Sequence, residues 1–286
     1  MIDLVLCIVS TTLLFVIFKF FSRFKVENLQ AITVNYAVAS ALGMLLSAEG
    51  LDLTSVVRAP WLLGALGMGM CFIVTFSLIA LSSQRVGVGI TSVANKMSLV
   101  IPVIAGVVLM GESLGGWKLA GAVLAVVAVV LTIWPQKEPQ FDPKDLYLPV
   151  LIFFGSGTLD AILNYMRAHR VGEEDFALFT SMLFMAAFIT GVVTVLVKGL
   201  RMRLEFSRTT IIAGIALGIP NYFSIYFLLK ALDHPQLEST VVFPVVNTGI
   251  VLLSTLVAFF LFSERPSRVN LIGVALAAIS IFMMSR

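Results

Sequence analysis

Apolar residues in this chain neither alternate nor form one narrow stripe per helix turn. They run on in stretches of about 20 residues, separated by short polar segments. Runs of that length read as membrane-spanning helices, because ~20 residues rising ~1.5 Å each cross a ~30 Å hydrocarbon core. Ten runs are predicted: 2–20, 28–47, 60–81, 86–110, 117–134, 147–168, 175–198, 209–231, 236–262 and 268–285. A membrane barrel would need alternating polarity, and these runs are continuous. The expected fold class is an all-α integral membrane protein with ten transmembrane helices. The connections are short, so no soluble domain is expected. The first run ends in Lys19-Phe20-Phe21-Ser22-Arg23-Phe24-Lys25, a stop at a membrane surface, with no small-residue cleavage site after it. It is expected to be a retained helix.

Composition agrees with that pattern. Hydrophobic residues make up 59% of the chain, against 19 Lys and Arg and 16 Asp and Glu. A soluble domain with this composition would present one large apolar surface. Net charge is +3 and comes from loop residues, not from the clustered basic face that nucleic acid requires. Twelve of the nineteen cations fall in loops after odd-numbered runs and six on the other side; the remaining one is Lys96. This bias places both termini outside the cytoplasm. Cys7 and Cys71 lie inside apolar runs and read as small core residues.

The chain also repeats itself. Residues 91–130 align with 243–282 at an offset of 152, with Asn95 on Asn247, Glu112 on Glu264 and Gly121 on Gly273. Upstream, at an offset of 151, Ala65-Leu66-Gly67 matches Ala216-Leu217-Gly218. The predicted organisation is a first five-helix repeat over 1–134, a linker over 135–146 and a second five-helix repeat over 147–286. Five is odd, so the second copy enters the membrane from the opposite face. Inverted repeats are typical of secondary transporters, whose substrate site lies at midplane between the repeats. The proline-rich linker, Trp134-Pro135-Gln136-Lys137-Glu138-Pro139 onward, is long enough to let the halves shift.

Ten helices in two five-helix repeats resemble the drug/metabolite transporter superfamily, EamA-type. The local hallmark is Gly111-Glu112 followed by Gly121, and again Ser263-Glu264 followed by Gly273. The chain departs from the family pattern at Ala128 and Ser280, where a second glycine is common, which implies looser backbone packing there. The resemblance implies membrane transport without a cofactor or catalysis, a small-molecule substrate and a cell-membrane location. It also implies cytoplasmic termini, opposite to the loop count. A monomer suffices for such a reading.

Lys96 and Asp160 carry the chemistry. Each lies near the middle of an apolar run, where a charge costs at least about 2.5–3.5 kcal/mol. The fourth and sixth runs point the same way, so the two residues lie on the order of 6–7 Å apart along the membrane normal, within reach of a lysine. One reading is a structural ion pair. The other gives Lys96 an anionic substrate group and Asp160 an amine or a coupling proton. Thr91, Asn95, Ser98 and Pro102 form a polar stripe beside Lys96. Thr240, Pro244, Asn247 and Thr248, then Ser254, form its repeat-related counterpart. Ser156, Asp160, Asn164 and Arg167 share one face of the sixth run. Asn221, Tyr222, Ser224 and Tyr226 lie on the eighth, and Asn35 and Tyr36 on the second.

The candidate substrate-binding residues are therefore Lys96, Asp160, Asn95, Asn164, Asn221, Tyr222, Asn247 and Thr248. Taken singly, Asn, Ser and Thr in membrane helices are more often interhelical glue. Glu112, Gly121, Glu264 and Gly273 are assigned structural roles, with the glutamates pairing with Lys118 and Arg268 or accepting from the amino terminus of the next helix. His169 and His234 are expected in loops. Glu173-Glu174-Asp175 is expected to be a solvated cap on the seventh helix. No metal-ligand spacing, nucleotide loop or nucleophile motif occurs.

The function expected is secondary transport of a small polar or amphipathic metabolite by alternating access. Amino-acid-like export suits a Lys/Asp pair best, and protons are the coupling ion considered. A phosphorylated or lipid-phosphate substrate is the rival. An intramembrane enzyme using Asp160 as acid/base is the alternative of another class, opposed by the lack of a second deep acid or a histidine at depth. A channel is a third.

Overall fold

A computed structural model describes residues 2–47, 53–86, 88–113, 115–132, 142–199, 207–262 and 267–284. Most of the predicted linker and Glu264 lie outside the described residues. Among those described, every regular element is a helix. In chain order they are α1 (Ile2–Arg23), α2 (Asn28–Leu46), α3 (Leu53–Arg58), α4 (Leu62–Arg85), α5 (Val88–Met97), α6 (Val100–Met110), α7 (Gly116–Thr132), α8 (Tyr147–His169), α9 (Phe176–Gly199), α10 (Arg208–Asp233), α11 (Ser239–Phe262) and α12 (Arg268–Met284).

Six of these helices are long and apolar enough to cross a membrane: α2, α4, α8, α9, α10 and α11. Shorter apolar helices occupy the remaining predicted runs. Burial is inverted relative to a soluble protein. Leu63 is 83% exposed and Phe260 78%, whereas Ser40, Thr180, Ser181, Asn164 and Thr248 are fully buried. Only an apolar solvent makes that distribution favourable, since polar side chains then gain by turning inward to one another. Cys7 is buried as expected, but Cys71 is exposed on α4. It lies on an outward face that lipid would cover, so an apolar run alone did not imply a core position.

The fourth run departs from expectation. Instead of one helix over 86–110 the chain forms α5 and α6, interrupted at Ser98 and Leu99. The cause is Pro102, which has no N–H for the Ser98 carbonyl and whose ring crowds it. That carbonyl instead accepts from the Ile101 amide at 2.9 Å. The Ser98 hydroxyl turns back to the Asn95 carbonyl at 2.6 Å. Helices α10 and α11 continue through Pro220 and Pro244. At the far end of α6, Gly111 takes a left-handed conformation (φ 67°) and stops the helix.

The protein divides into two compact units. The first comprises Met1–Val74 and Met166–Asp233, the second Thr75–Tyr165 and His234–Arg286. Each unit draws on both halves of the sequence, so compactness follows a different division from the repeat.

In the first unit α2 is the central helix. Gly214 and Gly218, one turn apart on α10, let that helix approach closely: a Cβ on either would lie 2.7 and 2.9 Å from the Ala31 and Asn35 carbonyls of α2. Small residues four apart are a common device for joining membrane helices. Tyr36 stacks on Phe184 of α9 at 5.8 Å, and Trp61 meets Phe179 edge-on at 5.9 Å. The Trp61 indole N–H donates to Asp175 at 2.9 Å, and Lys230 lies 3.8 Å from Glu173. The acidic run is solvated at Glu173 and Glu174 as expected, and it also holds Trp61, just before α4, and Lys230 of α10.

In the second unit α7 and α12 pack most extensively. A Cβ on Gly121 would lie 3.3 Å from the Ser280 carbonyl, and one on Gly273 would lie 2.8 Å from the Ala128 carbonyl. Backbone packing is therefore close at Ala128 and Ser280, against the looser packing implied by the missing second glycines. Gly121 and Gly273 supply the room on the facing helix. The two contacts also exchange under the 152-residue offset: 121 with 280 becomes 273 with 128.

Gly273→Ala is expected to cost more stability than Gly121→Ala. The new methyl at 273 meets the backbone of Thr132 and Ala128, which cannot give, whereas at 121 the nearest atoms belong to the Met284 and Met283 side chains. A cost of about 1–3 kcal/mol for overpacking at 273 is the expectation. Equal melting temperatures for the two variants would count against this account.

Candidate functional site

The second unit brings together most of the predicted substrate-binding residues. Lys96 sits in the last turn of α5, just before the interruption. That end of a helix carries the negative pole of the backbone dipoles, which favours a cation. Its Nζ donates to Asn247 Oδ1 of α11 at 3.1 Å. A lysine can only donate, so the amide oxygen must face it. The Asn247 Nδ2 accordingly donates to the Phe243 carbonyl one turn back, at 3.0 Å. Both ends of the Asn247 amide are thus engaged, and its orientation is set by its own helix.

Asp160 lies on α8, partly buried and within electrostatic range of Lys96. It makes no hydrogen bond or direct ion pair among the described residues, so the structural Lys96–Asp160 pair considered from sequence is not the bond formed. The close approach of α8 to the interruption comes from Gly157, where a Cβ would lie 2.6 Å from the Ser98 carbonyl. Asn164, one turn beyond Asp160, is fully buried and donates to the Met110 sulfur at 3.1 Å. Thr248 is fully buried, and its hydroxyl has no hydrogen-bond partner among the described residues. Asn95 is partly buried. Thr91 bonds Ser82 hydroxyl to hydroxyl at 2.7 Å, and Ser254 back-bonds to Val251 at 3.1 Å.

Asn221 and Tyr222 belong instead to the first unit. Asn221 donates to Asn35 Oδ1 at 3.0 Å, joining α10 to α2. The Ser224 hydroxyl back-bonds to the Asn221 carbonyl at 2.8 Å. Tyr222 is buried, its hydroxyl has no hydrogen-bond partner among the described residues, and its ring stacks on Tyr226 at 5.7 Å. Lys230 lies over the Tyr226 ring at 5.4 Å. Asn35 and Asn221 have the geometry of interhelical glue. Arg167, predicted to share the Asp160 face, lies 3.7 Å from Asp233.

Glu112 is a helix cap supplied from another helix. Past the Gly111 turn, its Oε1 accepts from the Ser239 amide at 2.9 Å and its Oε2 from the Thr240 amide at 2.8 Å. Those amides open α11 and have no partner within it. The negative carboxylate also faces the positive end of that helix. Lys118 does not pair with Glu112; it pairs with Glu238 at 2.6 Å. Gly106 leaves the room, since a Cβ there would lie 2.8 Å from Glu112 Oε2. Sequence reading expected a structural Glu112 that pairs with Lys118 or caps the next helix, α7; the helix it caps is instead α11, which packs against α6. His169 ends α8 and is not in a loop, whereas His234 is in one. No cluster of metal-ligating side chains occurs among the described residues.

Glu112→Gln is expected to lower thermal stability more than apparent substrate affinity. The amide keeps one acceptor but turns an NH2 toward the second backbone donor, costing about 1.5–3 kcal/mol. Normal melting with abolished transport would overturn the assignment.

No family model matches the chain. An uncharacterized protein of Haemophilus influenzae is 25% identical over 291 residues, spanning 99% of this chain and 97% of the relative. A protein of known crystal structure shares the fold, with a TM-score of 0.78 over 99% of this chain and 94% of the other, at 16% identity. The chain is an all-helical membrane protein. Its inverted burial and its six long apolar helices decide this.

Proposed function

We propose that the protein is a secondary transporter for a small polar or amphipathic metabolite, with amino-acid-like substrates favoured. The observation that carries this reading is the environment of Lys96. A cation sits at an interrupted helix inside a membrane protein, held by a neutral amide from the other sequence repeat, with a carboxylate within electrostatic range. Interrupted helices at depth are tolerated where they line a cavity or a binding site. Lys96 would take the substrate carboxylate and Asp160 its amine or a coupling proton, with Asn247, Thr248, Asn95 and Asn164 around them. Lys96 comes from the first repeat and the others, apart from Asn95, from the second. The site would therefore be assembled between repeats, as alternating access requires.

Inverted repeats and ten spans belong to the same proposal. The exchange of Gly121–Ser280 with Gly273–Ala128 supports a two-fold relation, and the resemblance to the drug/metabolite transporter superfamily is consistent with it. The test is transport itself. Purified protein in liposomes, with an imposed proton gradient, is offered a metabolite extract and the lumen is analysed by mass spectrometry. Enrichment of amino acids or related zwitterions is the expected result. Enrichment of phosphorylated compounds would move the assignment to the rival substrate class, and no gradient- or protein-dependent enrichment would overturn the transporter reading.

A further inference from the structure

We propose that Asn247 is a positioning residue: it aims the Lys96 ammonium at the substrate carboxylate and does not bind the substrate itself. The inference rests on the reading of Lys96 as the site for that carboxylate, and it gives the neighbouring amide a role other than contact.

The Asn247 side chain is committed at both ends. Its Oδ1 accepts from Lys96 Nζ at 3.1 Å, and its Nδ2 donates to the Phe243 carbonyl at 3.0 Å. The second bond closes over one turn of α11, so the helix that carries the amide also fixes its plane and presents its oxygen in one direction. The residue type follows from this. Asparagine accepts at one end and donates at the other, whereas aspartate has no donor for the Phe243 carbonyl and alanine offers neither group. Lys96, Phe243 and Asn247 belong to the same compact unit, so the arrangement is complete within it.

Lys96 gains from such a hold. Its ammonium rides on a flexible four-carbon stem, and much rotamer freedom is lost when that stem is ordered. A stem held beforehand by Asn247 does not incur that loss when substrate arrives, which raises affinity without any added contact. The hold is also made by a neutral group. An ammonium has three donors, so one bond to an amide oxygen does not exhaust it. Nor does the amide cancel its charge, and a substrate carboxylate still makes a charge-assisted hydrogen bond. A carboxylate at position 247 would hold Lys96 as well but would compete with the substrate for it.

The test is uptake into liposomes of an isotope-labelled mixture of the protein amino acids at graded concentrations, with melting curves to confirm folding. Asn247→Ala is expected to weaken apparent affinity roughly tenfold with the maximal rate little changed, because the lysine stem is then ordered only on binding. Asn247→Asp keeps the acceptor oxygen, yet it is expected to weaken affinity more than Asn247→Ala. A bond with a structural role alone gives the opposite order, since the variant that keeps the acceptor would keep the function. In a Lys96→Met background, Asn247→Ala is expected to change affinity no further, because it acts only through the lysine. Losses that add in the double variant would show that Asn247 touches substrate itself and would overturn the proposal, with the transporter reading left standing. Unchanged affinity in Asn247→Ala, or better affinity in Asn247→Asp than in Asn247→Ala, would overturn it equally. Where Asn247→Ala does not fold, Asn247→Asp decides against the unaltered protein: affinity weaker by roughly tenfold or more supports the proposal, and unchanged affinity overturns it. Unchanged affinity in Lys96→Met alone, or no amino-acid uptake by the unaltered protein, would overturn the underlying reading and this proposal together.

Discussion

Lys96→Met is expected to weaken substrate binding at least tenfold while leaving the protein folded. Methionine matches the length of the lysine stem but has no charge and no donor. The loss of one charged hydrogen bond to the substrate costs about 1.5–3 kcal/mol, which is tenfold or more in affinity. The fold should survive, because the hydrogen-bond acceptor given up at Asn247 is a neutral amide whose other end remains bonded to its own helix. Uptake measured against substrate concentration, alongside a melting curve, reads both quantities. Unchanged affinity would remove Lys96 from the proposed site. Unchanged uptake with a collapsed melting temperature would make it a structural residue only.

Asp160→Asn is expected to cut uptake at least tenfold and, in the same protein, to raise thermal stability. The carboxylate is partly buried in a membrane helix and makes no hydrogen bond among the described residues. Keeping such a charge out of water costs several kcal/mol unless it is compensated, and Lys96 compensates it only at a distance. The neutral amide removes that cost, at about 1–3 kcal/mol in the folded protein. A residue retained against stability is retained for use, and activity traded against stability is common at functional sites. A destabilised Asp160→Asn would indicate a structural carboxylate. The double variant Lys96→Met with Asp160→Asn separates the cases further: it should recover any stability lost in Lys96→Met and should recover no transport.

The membrane class was legible because it depends on composition along the chain. The apolar runs other than the fourth map onto single helices within a few residues, since a helix in lipid must satisfy its own backbone and has few other options. The value placed on Lys96 and Asp160 followed from the cost of charge at depth, before any neighbour was known. Spacing alone aligned Gly121 with Gly273 and Glu112 with Glu264 in the sequence.

Contacts between distant segments were not legible. Pro102 advertised a kink, but whether a proline kinks a helix or interrupts it depends on what satisfies the freed carbonyl, and α11 carries Pro244 without a break. Glu112 was expected to accept from the terminus of the next helix or to pair with Lys118; the packed chain brings it instead to the terminus of α11, more than 120 residues away. Ala128 and Ser280 suggested loose packing, because the sequence cannot show that a glycine on the facing helix supplies the missing space.

Sequence by itself therefore determined the solvent, the helical class and the two charges worth explaining, all of which follow from local composition and spacing. The tertiary structure decided which side chains meet. It gave Lys96 to Asn247 instead of Asp160, and it put Asn221 and Tyr222 in the first compact unit while Lys96 and Asp160 fall in the second. A lysine stem can reach any acceptor within several ångströms, and which one it finds is set by how the helices pack.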